Sequence, residues 1–463
     1  MRKIFKSILA IVCLAVSFTA VACGGESVTA YELAVKNGFQ GTEAEWLRSL
    51  HGANGEDGED FDAQKLYQTA VEKGYEGSFL EFCATLNITV PDNNDTITIA
   101  ENVRSVVSIY CGYAKTTQGG WLGLNQTTSY GSQAGSGVII DLNKEAGNAL
   151  IITNYHVIYN LDSDEKGLLN NIWVYPYGAY NNFNAETGDV SGDGIKATYV
   201  GGAMDYDIAI LKVEGSEYLK NSVATEAKLG NSDTVQLGEQ TFVVGNPAGA
   251  GIAVTNGIVS VDSEYISMQA LDNRDLNRDG YVDGVSFRVM RTSAAINSGN
   301  SGGGMFNARG ELIGIVNAKS GGSTTDNMGY ALPITQVKAV CENIIANGKK
   351  VLRATLGITI TVTASKAVVD EQGNLSMQEE FSVVTPASAG SAAYKQMNAG
   401  DVFISASVNG GEEMVFTREY QLSYVLLSVR KGDTVTFVMR NSSGELTSKS
   451  ITFDKDAYFT TFA

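Results

Sequence analysis

Asn297-Ser298-Gly299-Asn300-Ser301-Gly302-Gly303-Gly304 is the stretch on which the reading of this chain turns. A serine nucleophile needs an exposed Oγ on a tight loop and two backbone N–H groups converging on a developing oxyanion. Glycines on both sides of Ser301 allow backbone angles that other residues disfavour and let a substrate come close. Taken alone, the stretch also fits a glycine turn with no chemistry, and Ser298 is a second serine by composition. The surroundings matter more. From about Val103 onward, short apolar runs are punctuated by Gly, Asn and Asp, the pattern of an all-β barrel or sandwich. The run Ala149-Leu-Ile-Ile152 ends in Thr153-Asn154-Tyr155-His156-Val157, and a strand end can deliver an imidazole into a cleft. A hydrogen-bonded core histidine would look the same. Asp205-Tyr206-Asp207 opens a second run, Ile208-Ala-Ile-Leu211; such an aspartate can orient a histidine or merely cap a strand. Together, His156, Asp207 and Ser301 come in an order and at spacings that a two-barrel fold would converge on one cleft.

Composition narrows the field. The chain has 463 residues and a net charge of -18, with 44% hydrophobic and 18% charged residues. That is folded protein of several domains rather than a disordered tail. Its acidity repels phosphate backbones, which argues against nucleic acid as a partner. Two histidines and five cysteines leave little room for multi-ligand zinc chemistry, so neither metal nor cofactor is expected. One histidine, His51, lies in a glycine-rich linker, and His156 is therefore the candidate imidazole base.

Residues 1–22 read as a secretory signal: Arg2, Lys3 and Lys6, an apolar stretch from Ile8 to about Phe18, then Ala20-Val21-Ala22-Cys23. A cysteine directly after small residues resembles a bacterial lipobox, which would lipidate Cys23, although Ala20 stands where leucine is usual. The other reading is an ordinary signal peptide cleaved nearby. Cleavage leaves Cys83, Cys111 and Cys341, enough for one disulfide at most and no disulfide scaffold. Residues 28–90 hold two helical repeats. Tyr31, Gly38, Phe39, Trp46 and Leu50 match Tyr67, Gly74, Tyr75, Phe82 and Leu86, and they resemble small repeats near the N-termini of bacterial surface proteins. Gly52, Gly55 and Gly58 mark a flexible linker between them.

Over residues 103–345 the motifs resemble those of the HtrA (DegP-like) family of trypsin-like serine proteases. They include Gly135-Ser-Gly-Val-Ile-Ile140, Thr153-Asn-Tyr-His156-Val, Asp207-Ile-Ala-Ile-Leu-Lys-Val213, Gly245-Asn-Pro-Ala-Gly249 and Thr292-Ser-Ala-Ala-Ile-Asn-Ser-Gly-Asn-Ser301-Gly-Gly. Ser298 and Gly304 depart from the usual pattern. The resemblance implies a mainly β protein with a chymotrypsin-like double β-barrel protease at 101–348, a PDZ-like domain at 352–463 and a small α-helical N-terminal region. It implies a triad of His156, Asp207 and Ser301, with an oxyanion hole from the N–H groups of Gly299 and Ser301. Ala295 and Ile296 would border an apolar primary specificity pocket suited to small aliphatic residues, and Asn317-Ala318-Lys319 would pair with substrate. Leu356-Gly357-Ile358 would form the carboxylate loop of the PDZ-like domain, which is expected to hold one helix around Ala389–Tyr394. Implied partners are unfolded or exported proteins, peptide C-termini, the membrane through a lipid anchor, and two further copies in a homotrimer. The implied place is the extracytoplasmic cell envelope. The competing reading is a catalytically inert lipoprotein with a protease fold, acting as a chaperone or surface-binding module.

Asp275-Leu-Asn277-Arg-Asp279-Gly280-Tyr281-Val-Asp283 has the oxygen spacing of a calcium loop, but Ser286 stands where a bidentate carboxylate is needed. A solvated acidic loop is the alternative. For the N-terminus, labelled fatty acid is expected to co-migrate with the protein and to be lost in Cys23→Ala; an unlabelled, soluble wild type would refute the lipidation.

Overall fold

The computed structural model describes residues 94–462 apart from 120–124, 185–186, 188, 277, 320–327 and 371–372, with a few isolated residues between 31 and 71. The signal, Cys23, His51, the glycine linker and most of both repeats lie outside the described residues. Within the repeats, Tyr31, Val35, Lys36, Tyr67 and residues 69–71 are helical. The chain divides into two compact units, Met1–Val90 and Pro91–Ala463. The second carries everything that follows.

β-branched residues with period-two alternation drive its first part into strands. After helix α1 (Asn94–Val103) come β1 (Val106–Gly119), β2 (Asn125–Asn143), β3 (Asn148–Thr153), β4 (Asn171–Pro176), β5 (Ile195–Ala203) and β6 (Ile208–Val213). They close into a barrel in the order β1-β2-β3-β6-β5-β4. Ile139, Ile151, Ala209 and Leu211 fill this barrel. Their neighbours Val138, Ile152, Ile208 and Ile210 point the other way, into a core shared with the second barrel.

That second barrel uses β7 (Lys228–Leu229), β8 (Gln240–Gly245), β9 (Ala253–Gln269), β10 (Gly284–Thr292), β11 (Gly304–Asn307), β12 (Glu311–Lys319) and β13 (Gly329–Pro333). Their order is β7-β12-β11-β8-β9-β10-β13, and a further pairing of β12 with β13 closes the ring. Met290, Met305, Ile313 and Val316 fill it, while Val244, Phe306 and Ile315 face the shared core. The double barrel expected from the motifs is thus present. Helix α2 (Ile334–Asn347) starts on Pro333, stops at Gly348 in the left-handed region (φ 66°), and lays Val337, Val340 and Ile344 on the shared core.

The remaining chain forms β14 (Val351–Ala354), β15 (Thr359–Val369), β16 (Leu375–Thr385), β17 (Val402–Val408), helix α3 (Gln421–Ser428), β18 (Thr434–Arg440), β19 (Leu446–Thr452) and β20 (Phe459–Phe462). Strands β15 to β19 make one sheet in sequence order around Phe381, Phe403 and Phe437, while β20 returns to pair with β14. One expectation is corrected here. Residues 389–394 form turns, and the helix is α3. Gly390 sits at φ 94°, and Ala393 donates its N–H to the Leu356 carbonyl rather than into a helical ladder. At α3, by contrast, the Gln421 side chain reaches back to accept from the N–H groups of Thr417 and Arg418, and Leu422, Val425 and Leu427 are buried.

Polar contacts bind this C-terminal part to the second barrel. Arg288, 2% exposed, stacks 3.3 Å from the Tyr420 ring centre and donates to the Tyr424 hydroxyl. Arg418 pairs with Asp262 at 2.6 Å and Glu379 at 3.3 Å. Buried Asn343 of α2 donates to the carbonyls of Leu352 and Leu427 and accepts the Leu352 N–H. Cys111 and Cys341 are free, and burial pushes both thiols up to about 12, so neither is a nucleophile at neutral pH. The Asp275–Asp283 loop turns its carboxylates on its own backbone: Asp275 accepts from Asp279 and Gly280, and Asp283 from Leu276. Among the described residues no cluster of three or more His, Cys, Asp or Glu is arranged for a metal, and no helix is long and apolar enough to cross a membrane.

Asn343→Ala leaves the Leu352 carbonyl and N–H unpaired in a buried place, while the Leu427 carbonyl keeps Arg430 Nη1, and is expected to cost about 2 kcal/mol. Urea denaturation of the full chain would measure it; a loss below about 1 kcal/mol would show that the bridge does not join α2 to the C-terminal part.

Candidate active site

Each candidate side chain sits where a strand ends. Strand β3 runs out into a short turn, Tyr155–Ile158, that carries His156. A matching turn, Met204–Tyr206, precedes β6 and ends on Asp207 in the left-handed conformation (φ 49°, ψ 42°). Aspartate tolerates that region better than most residues, but at a cost of order 1 kcal/mol that the surroundings must offset. The nucleophile loop is shaped by close approach. Gly299 (φ 97°) and Gly302 (φ 83°) pass so near the carbonyls of Asn246 and Ser136 that an added Cβ would lie 2.1 Å from each. No L side chain fits there.

His156 Nδ1 lies 2.7 Å from Asp207 Oδ2, and the His156 backbone N–H donates to Oδ1 at 2.9 Å. The carboxylate of Asp207 is an acceptor, so Nδ1 carries the proton and Nε2 keeps its lone pair. Asn317 Nδ2 donates to the same Oδ2 at 2.6 Å, and Asn154 Nδ2 to the Asp207 carbonyl at 2.9 Å. Ser301 Oγ donates to the Asn317 carbonyl at 3.0 Å. Asn317 therefore joins all three candidate residues in one hydrogen-bonded chain. Burial works against a charged His156, but the Asp207 charge and hydrogen bond outweigh it and hold the imidazole above its usual 6.5.

The loop around Ser301 is pinned from the first barrel. Ser136 donates its N–H to the Ser301 carbonyl and its hydroxyl to the Gly299 carbonyl, and its Oγ accepts from Asn246 N–H. Ala248 N–H takes the Ser298 carbonyl at 2.7 Å. With these carbonyls turned away, the N–H groups of Gly299 and Ser301 have no hydrogen-bond partner among the described residues. Such an arrangement can accept an oxyanion.

Ile296 is buried in the second-barrel core against Gly329, whereas Ala295 is exposed and its carbonyl accepts from Thr255 Oγ1. Ala318 and Lys319 continue β12 and pair with Tyr330 and Gly329. Asn317, expected on the strand that pairs with substrate, is 1% exposed, and its side chain points at Asp207. The signal for that was a lone amide ending the apolar run Ile313–Val316; Ser136 and Asn154 gave no comparable one. Leu356, Gly357 and Ile358 form a separate place in the C-terminal part. There Leu356 is buried, Gly357 has φ 76°, and the N–H groups of Gly357 and Ile358 are unpaired among the described residues.

Residues 135–315 match the trypsin-like peptidase domain family. The chain is 29% identical over 370 residues to the serine protease Do-like HtrA of Lactococcus lactis subsp. cremoris, which covers 75% of this chain and 80% of the relative. It is 33% identical over 281 residues to the periplasmic serine endoprotease DegP of Escherichia coli, covering 60% and 48%. With a probable periplasmic serine endoprotease of DegP type from Pseudomonas savastanoi it shares 34% over 224 residues, covering 46% and 40%. The chain thus spans between 40% and 80% of the length of these relatives. Among solved structures, an HtrA-type protease AlgW with decapeptide is similar at 24% identity and a TM-score of 0.47, covering 77% of this chain and 96% of that one.

The two histidines make the electrostatics directly readable. In Asp207→Asn the His156 imidazole loses the charge that raises it, so its pKa is expected to fall. Proton NMR titration of the two C2–H signals would show it; equal behaviour of His156 in both proteins would refute the pairing.

Proposed function

The chain is an HtrA-like serine protease, and from that premise we propose that it hydrolyses peptide bonds of misfolded or exported proteins through His156, Asp207 and Ser301. The observation that carries this reading is the His156–Asp207–Asn317–Ser301 hydrogen-bond chain beside two unpaired N–H groups. Ser301 Oγ attacks the scissile carbonyl while His156 Nε2 takes its proton and later returns it to the leaving amine. For that step the hydroxyl turns from the Asn317 carbonyl toward His156. Asp207 holds the Nδ1–H tautomer and stabilises the imidazolium, and the N–H groups of Gly299 and Ser301 receive the oxyanion. The expectation of cleavage after small aliphatic residues rests on the family resemblance that puts Ala295 and Ile296 at the primary specificity pocket; Ile296 itself packs in the second-barrel core against Gly329.

The same proposal gives the C-terminal part a PDZ-like role. Among the described residues strand β15 pairs only with β16, which leaves its outer edge for a peptide strand, and the N–H groups at Gly357 and Ile358, unpaired among the same residues, suit a terminal carboxylate. A lipid on Cys23 would tether the enzyme outside the cytoplasm. The relatives named periplasmic support the extracytoplasmic side of this reading.

Ser301→Ala is expected to lower casein degradation about 10⁴-fold or more and to abolish labelling by a fluorophosphonate probe, with an unchanged melting temperature. Retained activity would refute Ser301 as the nucleophile, and a wild type that neither cleaves nor labels would overturn the proposal in favour of the inert binding module.

A further inference from the structure

The turn that presents Asp207 is held on both flanks by parts of the chain far from the triad in sequence. Asp205 forms an ion pair with Arg274, which comes from the loop at the tip of the β9–β10 hairpin. Tyr206, immediately before Asp207, is buried and meets the Phe462 ring edge-on at 5.4 Å between ring centres. The Tyr206 hydroxyl accepts from Arg353 Nη1 at 3.1 Å, and the Arg353 guanidinium in turn lies over the Phe462 ring at 4.8 Å. Arg353 is in β14 and Phe462 in β20, and these two strands pair, with Val351 opposite Phe462 and Arg353 opposite Thr460. The two-stranded ribbon that closes the C-terminal part is therefore seated on the residue next to the triad aspartate.

This placement answers a need of the site. Asp207 is in the left-handed region, and its turn is closed by a single hydrogen bond, from Asp207 N–H to the Met204 carbonyl. Backbone of that kind persists only where surrounding structure over-determines it. Asn317 and Asn154 hold the carboxylate and carbonyl of Asp207, but neither restrains Tyr206. Taking the proposed peptidase reading as its basis, we propose that Phe462 and Arg353 are positioning residues for Asp207. The terminal strand β20 acts as a clip that keeps the Met204–Asp207 turn, and through it the carboxylate, in register with His156. The C-terminal part is then coupled to the chemistry through the Phe462 ring and the Arg353 hydrogen bond at Tyr206 rather than through the substrate cleft.

The test uses the full chain and a fluorogenic peptide well below the melting temperature. Phe462→Ala is expected to lower kcat about 10- to 100-fold with KM changed less than about twofold, since a misplacement near 1 Å costs on that order. Phe462→Tyr keeps the ring and should stay within about threefold of wild type. Phe437→Leu, which loosens the C-terminal core away from Tyr206, should lower the melting temperature and leave kcat alone. If Phe462→Ala loses its fold, Phe462→Leu keeps apolar bulk, lacks the ring edge and reads the same split. Wild-type kcat in Phe462→Ala or Phe462→Leu, or an equal loss in Phe437→Leu, overturns the clip. NMR titration of His156 reads the same displacement without turnover: a lowered pKa in Phe462→Ala supports the clip even if the wild type proves inert, which would sink only the peptidase reading. An unmoved His156 overturns it.

Discussion

One carboxylate holds the two barrels to a common purpose. Asp207 stands at the mouth of β6 in the first barrel and accepts from His156, which follows β3 of the same barrel, and from Asn317 in β12 of the second. A buried carboxylate is tolerable only when its oxygens are met by donors, because desolvating it otherwise costs several kcal/mol. Here Oδ1 takes a backbone N–H while Oδ2 takes an imidazole and an amide. The donor that satisfies the charge from across the interface is also the residue whose carbonyl receives Ser301. Satisfying the buried charge and assembling the three candidate residues are thus one structural event.

That event depends on how strands deliver residues to the interface. Within β2, β3 and β6, alternate residues go to the first-barrel core and to the shared core, so both cores are specified by the same period-two runs. A slip of one residue in β3 would exchange Ile151 with Ile152 and turn the end of the strand to the wrong face. The apolar cores therefore fix the direction in which His156 and Asp207 leave their strands. The double barrel and the three candidate residues were legible for this reason: alternation, glycine turns and a glycine-flanked serine are local signals.

What stayed illegible was non-local. Residues 389–394 have good helix formers, yet the Ala393 N–H is claimed by Leu356 and Gly390 takes a positive φ, so tertiary contacts override propensity. The helix that does form, Gln421–Ser428, is rich in apolar residues on several sides because it packs between α2, β14 and the sheet, and so it reads like a buried strand. The same limit applies to Asn317. Its place in a strand beside the nucleophile loop was readable, but which of its two faces met Asp207 depended on the register of β12 against β13, with a shift between Val316 and Ala318.

The join between the second barrel and the C-terminal part is built differently from the cores. Arg288, Arg418, Asp233, Asp262 and Glu379 meet around Tyr420 and Tyr424, with Arg288 almost fully buried. Buried ion pairs add little net stability compared with apolar packing, because the desolvation they incur offsets most of the attraction. They are, however, directional: a guanidinium stacked on a ring and paired with a carboxylate accepts one orientation, whereas an apolar face tolerates sliding. A join meant only to bury surface would not need two arginines. One that must deliver β20 to Tyr206 does, since the edge of the Phe462 ring meets Tyr206 only when the whole C-terminal part is held in a single orientation.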